Sequence, residues 1–257
     1  MTVLPLQRGI LYGPIDSRRL GKSLGINLMP RNYKLCSFNC VYCHYGLTDK
    51  CTMDLGKYVK DLPQFDDVVR AVEQAAKSSM VFDYLTFSGN GEPTLHPRFA
   101  DLVDEVVRIR DLHRPRVKVA LLSNSTGLVY RSVRDSIPKI DLPVFKLDSG
   151  RGGKFKAMNR PAREVHFREV LDRLMSLGNI CLQTVLIDGT PSNVGKEELS
   201  AYFKHVSRIK PREVHIYSID RPVPNSKISL ISPKELEKIV LQGRRETGVE
   251  IRAFYVR

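Results

Sequence analysis

Three cysteines lie close together near the start of the chain, separated by three and then two residues. They are Cys36, Cys40 and Cys43. Thiolates are soft ligands for iron, and three of them in one loop can surround one cluster. A cluster of four irons would keep one iron free of protein ligands, which is the open position that a reactive metal site needs. The spacing therefore predicts a redox-active 4Fe-4S cluster with one iron open to a small molecule.

A zinc site is the alternative interpretation of these cysteines. His44 or Cys51 would then complete the set of four ligands. Zinc sites more often contain paired C-x2-C units, or one such unit with two histidines, and the spacing here differs from both. The pattern favours an iron–sulfur cluster, with a non-catalytic metal-binding module as the alternative.

A second motif, residues 86–94, follows a predicted strand and reads Thr-Phe-Ser-Gly-Asn-Gly-Glu-Pro-Thr. Glycine lets a backbone approach a ligand closely, and Glu92 is suited to accept a hydrogen bond from an ammonium group. Ser88, Asn90 and Gly91 lie in the same turn. These four residues are candidate ligand contacts.

Polar residues also end two further predicted strands. Ser123 and Asn124 end one of them, and Lys146 and Asp148 end the other. In parallel β/α structures the loops after the strands carry the chemistry, so these side chains are candidate cofactor contacts. The alternative is capping or turn chemistry, which Ser, Asn and Asp also favour.

Taken together, the cysteine spacing, the aromatic Tyr42 before the third cysteine and the Gly-Glu-Pro segment resemble the motifs of the radical S-adenosylmethionine (SAM) superfamily. The resemblance implies that Cys36, Cys40 and Cys43 ligate the cluster and that its free iron binds the amino and carboxylate groups of SAM. It implies an enzyme that cleaves SAM reductively to a 5′-deoxyadenosyl radical, with Tyr42 near the adenine. Asn90 departs from the pattern because it replaces the first glycine of the family's Gly-Gly-Glu-Pro.

Residues 14–27, 38–43 and 87–94 resemble a short, wyosine-synthase-like branch of that superfamily, with likeness to about residue 222. The branch is related to enzymes that modify guanine in tRNA. Those synthases use a second cluster with three more cysteines, whereas only Cys51 and Cys181 remain here. An unidentified anionic substrate is the first interpretation; tRNA modification and activation of a glycyl-radical enzyme are the alternatives.

Positive charge is concentrated at the start of the chain and again after residue 120. The net charge is +13, and residues 1–60 contain nine Lys or Arg against three Asp or Glu. Such an excess favours an anionic partner, either tRNA or a phosphorylated small molecule, or serves solubility alone. Arg18 and Arg19 are candidate anion contacts, with ion pairs anchoring the N-terminal segment as the alternative.

A further basic stretch, residues 151–163, contains five Lys or Arg and no acid; we call it the basic segment. Because Gly152 and Gly153 begin it, we expect a mobile loop that folds over a bound anion. Lys154, Lys156 and Arg160 are candidate contacts. A solvated surface loop is the alternative.

From residue 66 onward, helical patterns alternate with short apolar, β-branched runs. This alternation predicts an α/β fold with a partial (β/α)6 TIM-like barrel, and the resemblance implies that the barrel is of the radical SAM type. We expect one domain over residues 1–257, with residues 1–30 leading into the barrel and 249–257 forming a terminal strand. The predicted strands cover residues 24–29, 82–88, 117–123, 142–148, 180–187, 213–219 and 249–255. The predicted helices cover residues 66–79, 97–110, 129–136, 164–177, 195–207 and 233–243.

The remaining composition is ordinary, with 42% hydrophobic and 27% charged residues. No apolar run approaches the roughly 20 residues that a membrane-spanning helix needs. The first residues lack the basic start and long apolar stretch of a signal peptide. We therefore expect a cytoplasmic protein without membrane partners. The resemblance to the radical SAM superfamily implies an electron donor such as flavodoxin or ferredoxin.

Overall fold

A curled sheet of mostly parallel strands forms the centre of the structure, a computed structural model that describes residues 3–255. The strands are β1 Leu11–Ser17, β2 Gly21–Ile26, β3 Leu35–Cys36, β4 Lys50–Cys51, β5 Tyr84–Phe87, β6 Lys118–Ser123, β7 Leu142–Lys146, β8 Cys181–Gly189, β9 Glu213–Ser218, β10 Ile228–Leu230 and β11 Ile251–Phe254. The helices are α1 Phe65–Lys77, α2 Phe99–His113, α3 Arg131–Ser136, α4 Gly152–Asn159, α5 Phe167–Met175, α6 Lys196–Ile209 and α7 Pro233–Thr247. The last two residues of the predicted terminal segment, 256 and 257, lie outside the described residues.

The strand order is β1-β2-β5-β6-β7-β8-β9-β11, with every neighbouring pair from β2 onward parallel. β1 pairs antiparallel with β2, and β10 pairs antiparallel with β8. β3 and β4 form a separate parallel pair. The order confirms the predicted partial barrel, and it places the loops after the parallel strands at one rim.

The two faces of the sheet carry separate apolar clusters because neighbouring residues of a strand point to opposite sides. Leu121 and Leu182 belong to the large core that the outer helices cover. Ala120, Val144 and Cys181 belong to a small cluster on the inner face, together with Leu20 from the β1–β2 turn. Lys146 and Gln183 continue this inner register toward the rim.

The start and end of α7 match the sequence signals. Ser232 caps the helix by accepting a hydrogen bond from the Glu235 N–H, the Glu235 carboxylate accepts one from the Ser232 N–H, and Pro233 occupies the first turn. Gly248 ends the helix with a φ of 68°, a left-handed conformation that favours glycine. Local chemistry is sufficient to place this helix.

Several regions differ from the predictions, and the short strands β3, β4 and β10 are among those that the sequence analysis does not predict. Residues 11–17 form a strand that the sequence pattern does not show, because most of its side chains are exposed on both faces. The basic segment is not a mobile loop: residues 152–159 form α4. Phe155 and Met158 lie on one side of α4 and are buried, which holds the segment in a helix in spite of its two glycines.

Candidate active site

The predicted cysteine motif follows β2 at the rim of the sheet and is folded tightly by its own backbone. Cys36 and Cys40 are buried and Cys43 is half-buried, and all three thiols are free. The Cys43 N–H donates to the Cys40 carbonyl at 3.2 Å, and the Thr52 N–H donates to the Cys36 carbonyl at 3.1 Å. The structure therefore brings the three predicted ligands together in one ordered loop.

The surroundings of the sulfurs fit an iron–sulfur cluster. Side-chain amides of Asn124 and Asn159 lie 3.5 Å from Cys36 Sγ and 3.6 Å from Cys40 Sγ, respectively. Such N–H groups stabilise charge on metal-bound sulfur. Burial raises the pKa of Cys36, and it raises the pKa of Cys40 to about 11. Both thiols are therefore protonated in the metal-free protein, and binding of a metal releases their protons. In residues 3–255, no group of three or more His, Cys, Asp or Glu side chains is arranged to hold a single metal ion.

Lys34 is a charged neighbour of the cysteines that the sequence analysis did not identify. Its side chain is buried, and Nζ donates to the carbonyl of Gly46 at 2.7 Å. No carboxylate in residues 3–255 lies within ion-pair distance of this ammonium. Burial alone would lower the pKa of Lys34, but the nearby sulfurs of Cys43 and Cys36 raise it above its usual value. The cysteine motif is thus its electrostatic partner.

The Gly-Glu-Pro segment lies directly beside the cysteine loop. Gly91 forms a parallel bridge with Leu35, and a β-carbon on Gly91 would come within 1.8 Å of the Leu35 carbonyl oxygen. The glycine is required here because two backbones touch. It connects the two predicted motifs.

Glu92 is buried, and hydrogen bonds surround its carboxylate. Oε1 accepts from the backbone and hydroxyl of Thr94 and from the Ser123 hydroxyl at 2.8 Å. Oε2 accepts from the Asn124 N–H at 2.6 Å. Burial raises the pKa of Glu92 although these bonds act in the opposite direction. Glu92 and the predicted contacts Ser123 and Asn124 thus form one group, and their roles toward SAM stay predictions.

The side chains of Asn90 and Ser88 form hydrogen bonds to other parts of the protein. Both amide hydrogens of Asn90 are donated to backbone carbonyls, those of Gln7 and Pro30, and its Oδ1 accepts from the Gln7 N–H at 2.7 Å. Asn90 therefore ties down the N-terminal segment. The Ser88 hydroxyl pairs with that of Tyr12.

Asp148 is the centre of a second buried group. Oδ2 accepts from the Tyr42 hydroxyl and from the side-chain amide of Asn159 at 2.9 Å. Oδ1 accepts from the Val185 N–H at 2.9 Å and lies 3.4 Å from Lys146 Nζ. The same Asn159 amide reaches Cys40, so the predicted residues Tyr42, Lys146 and Asp148 are joined to the cysteine loop.

Asn159 was not identified from the sequence. It lies at the end of α4, 119 residues from Cys40, and its Oδ1 is buried without a hydrogen-bond partner among residues 3–255. Lys146 Nζ lies 5.0 Å from the ring centre of Tyr42 and 5.6 Å from that of Tyr217. Burial alone would lower the pKa of Lys146, but Asp148 and Tyr217 hold it above its usual value.

The structure separates the predicted substrate contacts. Arg18 forms an ion pair with Asp220. Arg19 donates to Gln183 Oε1 at 2.8 Å and lies 4.8 Å from the ring centre of Tyr217. No carboxylate in the described part of the chain pairs with Arg19, which therefore keeps an uncompensated charge beside Lys146.

The other predicted substrate contacts lie elsewhere. Lys156 and Arg160 are exposed on or just after α4, and Lys154 is half-buried. Of the two remaining cysteines, Cys51 is exposed on β4, whereas Cys181 is buried on the inner face. Cys51 is the register partner of Cys36 in the β3–β4 pair, and its thiol lies 3.8 Å from the Arg160 carbonyl. The Cys181 thiol contacts Glu213 and Arg212. No helix in residues 3–255 has the length and apolar character needed to cross a membrane.

The sequence profile of the Radical SAM superfamily matches residues 33–194. This range contains the three cysteines, the Gly-Glu-Pro segment and Asp148. The chain belongs to the radical SAM superfamily and is a radical SAM enzyme, and the family implies SAM and an iron–sulfur cluster as its cofactors. The predicted resemblance is confirmed.

Relatives of this chain include the UPF0026 protein MJ1312 of Methanocaldococcus jannaschii. It is 30% identical over 237 residues, which cover 90% of this chain and 68% of that protein. A protein named GTPase Obg from Brachyspira hyodysenteriae is 30% identical over 246 residues, and this chain spans 34% of its length. A solved structure of TYW1 with a lysine–pyruvate adduct bound has a TM-score of 0.57 at 16% identity, covering 88% of this chain and 75% of that one. That similarity confirms the fold.

Proposed function

We propose that residues 1–257 act as one radical SAM domain in which Cys36, Cys40 and Cys43 hold a 4Fe-4S cluster. The observation that carries this proposal is the position of Asn124. Its side-chain amide lies 3.5 Å from Cys36 Sγ, and its backbone N–H donates to Glu92 Oε2 at 2.6 Å. One residue thus joins the metal-binding motif to the predicted SAM contact. When bound, the cluster and SAM supply a 5′-deoxyadenosyl radical after one-electron reduction.

The protein's own groups have defined tasks in this proposal. Glu92 Oε2 accepts one hydrogen bond within the protein, and a carboxylate oxygen can accept two, so it keeps capacity for the ammonium of SAM. Asp148 and Asn159 fix the hydroxyl of Tyr42 and leave its ring to contact the adenine. The buried setting limits water around the reacting groups.

The test compares Cys40→Ala with Cys51→Ala after anaerobic reconstitution. We expect about four irons per wild-type chain and release of 5′-deoxyadenosine from SAM with dithionite. Cys51→Ala should retain both properties and Cys40→Ala should lose them. A Cys40→Ala protein that still cleaves SAM would contradict the ligand assignment, and one zinc per chain without iron would favour a non-catalytic module.

We further propose that the substrate is anionic and binds on the inner face near Arg19. The supporting observation is the pair of cations, Arg19 and Lys146, on the ring of Tyr217 next to the cysteine loop. Lys146 has Asp148 as a partner, whereas Arg19 contacts neutral groups. A half-buried guanidinium without an anionic partner favours a carboxylate or phosphate over neutral ligands.

Metabolite and tRNA-nucleoside profiles of cells with and without the protein would identify the substrate class. We expect an anionic small molecule to accumulate in cells without it. An Arg18→Gln gene should restore the profile better than an Arg19→Gln gene, because Arg18 already has Asp220 as its partner. Equal restoration by the two variants would contradict the assignment of Arg19.

The second candidate function is modification of guanine in tRNA. It is supported by the net charge of +13 and by the structural similarity to TYW1. Binding of tRNA should then weaken steeply with rising salt, because phosphate contacts release counterions. Unchanged tRNA nucleosides in cells without the protein would contradict this candidate.

A further inference from the structure

The basic segment carries four positive charges that have no acidic partner. Arg151 is paired with Glu197 and Glu198 on α6. The other four have no carboxylate within ion-pair distance in residues 3–255, and they are Lys154, Lys156, Arg160 and Arg163. All but Lys154 are exposed. The charges are therefore available to a partner outside this chain.

The basic segment packs directly against the cysteine loop. Four backbone hydrogen bonds join the two. The Asn39 N–H donates to the carbonyls of Asn159 at 2.9 Å and of Arg160 at 3.1 Å, the Val41 N–H donates to the Met158 carbonyl at 2.9 Å, and the Ala162 N–H donates to the Ser37 carbonyl at 2.8 Å. Phe38 and Pro161 form an antiparallel bridge between them. The segment is thus attached along the whole stretch between the first two cysteines.

The two sides of the segment differ in chemistry. Phe155 and Met158 are buried in one apolar cluster with Cys36 and Cys40. Lys156, between them in sequence, is exposed. The helix therefore presents apolar side chains to the cysteine loop and a cation to the surface.

Asn159 connects these two sides. Its side-chain amide lies 3.6 Å from Cys40 Sγ, and the next residue, Arg160, is exposed. An exposed cation is therefore the direct neighbour in sequence of a residue that contacts a predicted cluster ligand. The peptide bond and this hydrogen bond connect the charged surface to the cysteine motif.

We propose that the outer surface of the basic segment, formed by Lys156, Arg160 and Arg163, is the docking site of an acidic one-electron carrier protein. This inference rests on the proposed function, because a cluster must be reduced by an electron from outside before it can cleave SAM. The carrier is oxidised by one electron and the cluster is reduced by one, without transfer of a proton. Complementary charge speeds the encounter of such partners.

Nucleic acid would be attracted to the same charges, but the location favours an electron carrier. The surface lies against the backbone that holds the cluster ligands. The cations that we assign to the substrate, Arg19 and Lys146, lie on the inner face of the sheet. An RNA substrate needs to reach that inner face, whereas an electron carrier needs only to approach the cysteine loop.

The test uses Lys156→Glu/Arg163→Glu, with Lys238→Glu/Arg245→Glu on α7 as a control that makes the same change at two exposed cations. Neither control cation forms an ion pair with a carboxylate in residues 3–255. Iron content is measured first, and SAM cleavage is then driven either by dithionite or by a reduced flavodoxin. We expect Lys156→Glu/Arg163→Glu to cleave SAM at the wild-type rate with dithionite. With reduced flavodoxin at low salt, its rate should be roughly tenfold lower than that of the wild type. The control variant should keep both rates.

Other results would overturn the proposal. A flavodoxin rate that falls equally in the two variants would show a general effect of net charge. Weaker tRNA binding by the segment variant, with an unchanged flavodoxin rate, would assign the surface to RNA. If the Lys156→Glu/Arg163→Glu variant loses iron, Lys156→Gln/Arg163→Gln is measured in its place. An unchanged flavodoxin-driven rate in that variant would also overturn the proposal. Failure of the wild-type protein to cleave SAM with dithionite would instead refute the proposed function.

Discussion

Gly91 lies directly on the backbone of Leu35, since a β-carbon on Gly91 would be 1.8 Å from the Leu35 carbonyl oxygen. Leu35 precedes the first cysteine, and Gly91 precedes Glu92. The contact therefore sets the distance between the cysteine motif and the Gly-Glu-Pro segment. Close packing of these two segments explains why residue 91 is a glycine.

Gly91→Ala should disturb this contact. We expect the free energy of unfolding to fall by about 1–3 kcal/mol, because a methyl group is forced against backbone atoms, and iron incorporation to fall with it. Thermal unfolding and iron analysis measure both effects. Gly153→Ala is the control, since nothing lies within 4 Å of its β-carbon and it lies in α4. That substitution should be neutral or stabilise by about 0.5–1 kcal/mol; equal losses at both positions would contradict the role of Gly91.

Tyr42 should have two separable roles. Tyr42→Phe removes the hydroxyl that Asp148 and Asn159 contact, so we expect a loss of about 1–3 kcal/mol in stability with SAM affinity largely kept. Tyr42→Leu should weaken SAM binding because it removes the ring. Unfolding measurements and equilibrium binding of SAM to the reconstituted protein distinguish the two. Unaltered SAM affinity in Tyr42→Leu would remove the adenine assignment.

Lys34 should raise the reduction potential of the cluster. Reduction adds negative charge, which a buried ammonium nearby stabilises. Lys34→Met should therefore make the midpoint potential more negative, measured by redox titration of the reconstituted protein. Lys50→Met is the control, because Lys50 is exposed on β4. Identical potentials in both variants and the wild type would show that Lys34 is only structural.

His96 should make the stability of the metal-free protein depend on pH. Its Nδ1 accepts from the Arg98 N–H at 3.2 Å and its Nε2 donates to the Pro63 carbonyl at 3.1 Å, so the folded ring is neutral. Burial lowers the pKa of His96. The stabilisation is complete above the unfolded pKa of about 6.5 and is lost as the pH falls below it, because the unfolded chain binds the proton more readily.

The measurement is unfolding of the metal-free protein from pH 7.5 down to pH 5.5. His96→Gln should reduce part of the decline in stability, and His44 and His215 account for a further part because burial lowers their pKa values as well. His166→Gln is the control, since His166 is exposed. A full decline in His96→Gln would contradict this prediction.

The alternation of helices and strands could be predicted because it depends on local patterns. The strand predicted at 213–219 is β9, Glu213–Ser218, and the helix predicted from Ser232-Pro233 is α7. The short strand β1 contains Gly13 and Pro14, and it exists through pairing with β2 rather than through its own apolar pattern. For α4, the signal was present in Phe155 and Met158, three residues apart. The two glycines and the positive charges of the segment are more typical of an exposed loop, so the helix was not predicted.

The candidate site could be predicted only where a motif recurs within a few residues. The cysteines and Glu92 belong to such motifs. Lys34 acts through a carbonyl 12 residues away, and Asn159 through a sulfur 119 residues away. A buried polar residue of this kind has no signal in one sequence, because its partners are determined by the tertiary fold.

The attachment of the N-terminal segment has a practical consequence. Leu4 N–H donates to the carbonyl of His44, next to Cys43, and Gln7 pairs with Asn90. These contacts hold residues 4–7 beside the cysteine motif and the Gly-Glu-Pro segment. A substitution at Gln7 would therefore disturb the proposed metal site from a position well ahead of its first cysteine in the sequence.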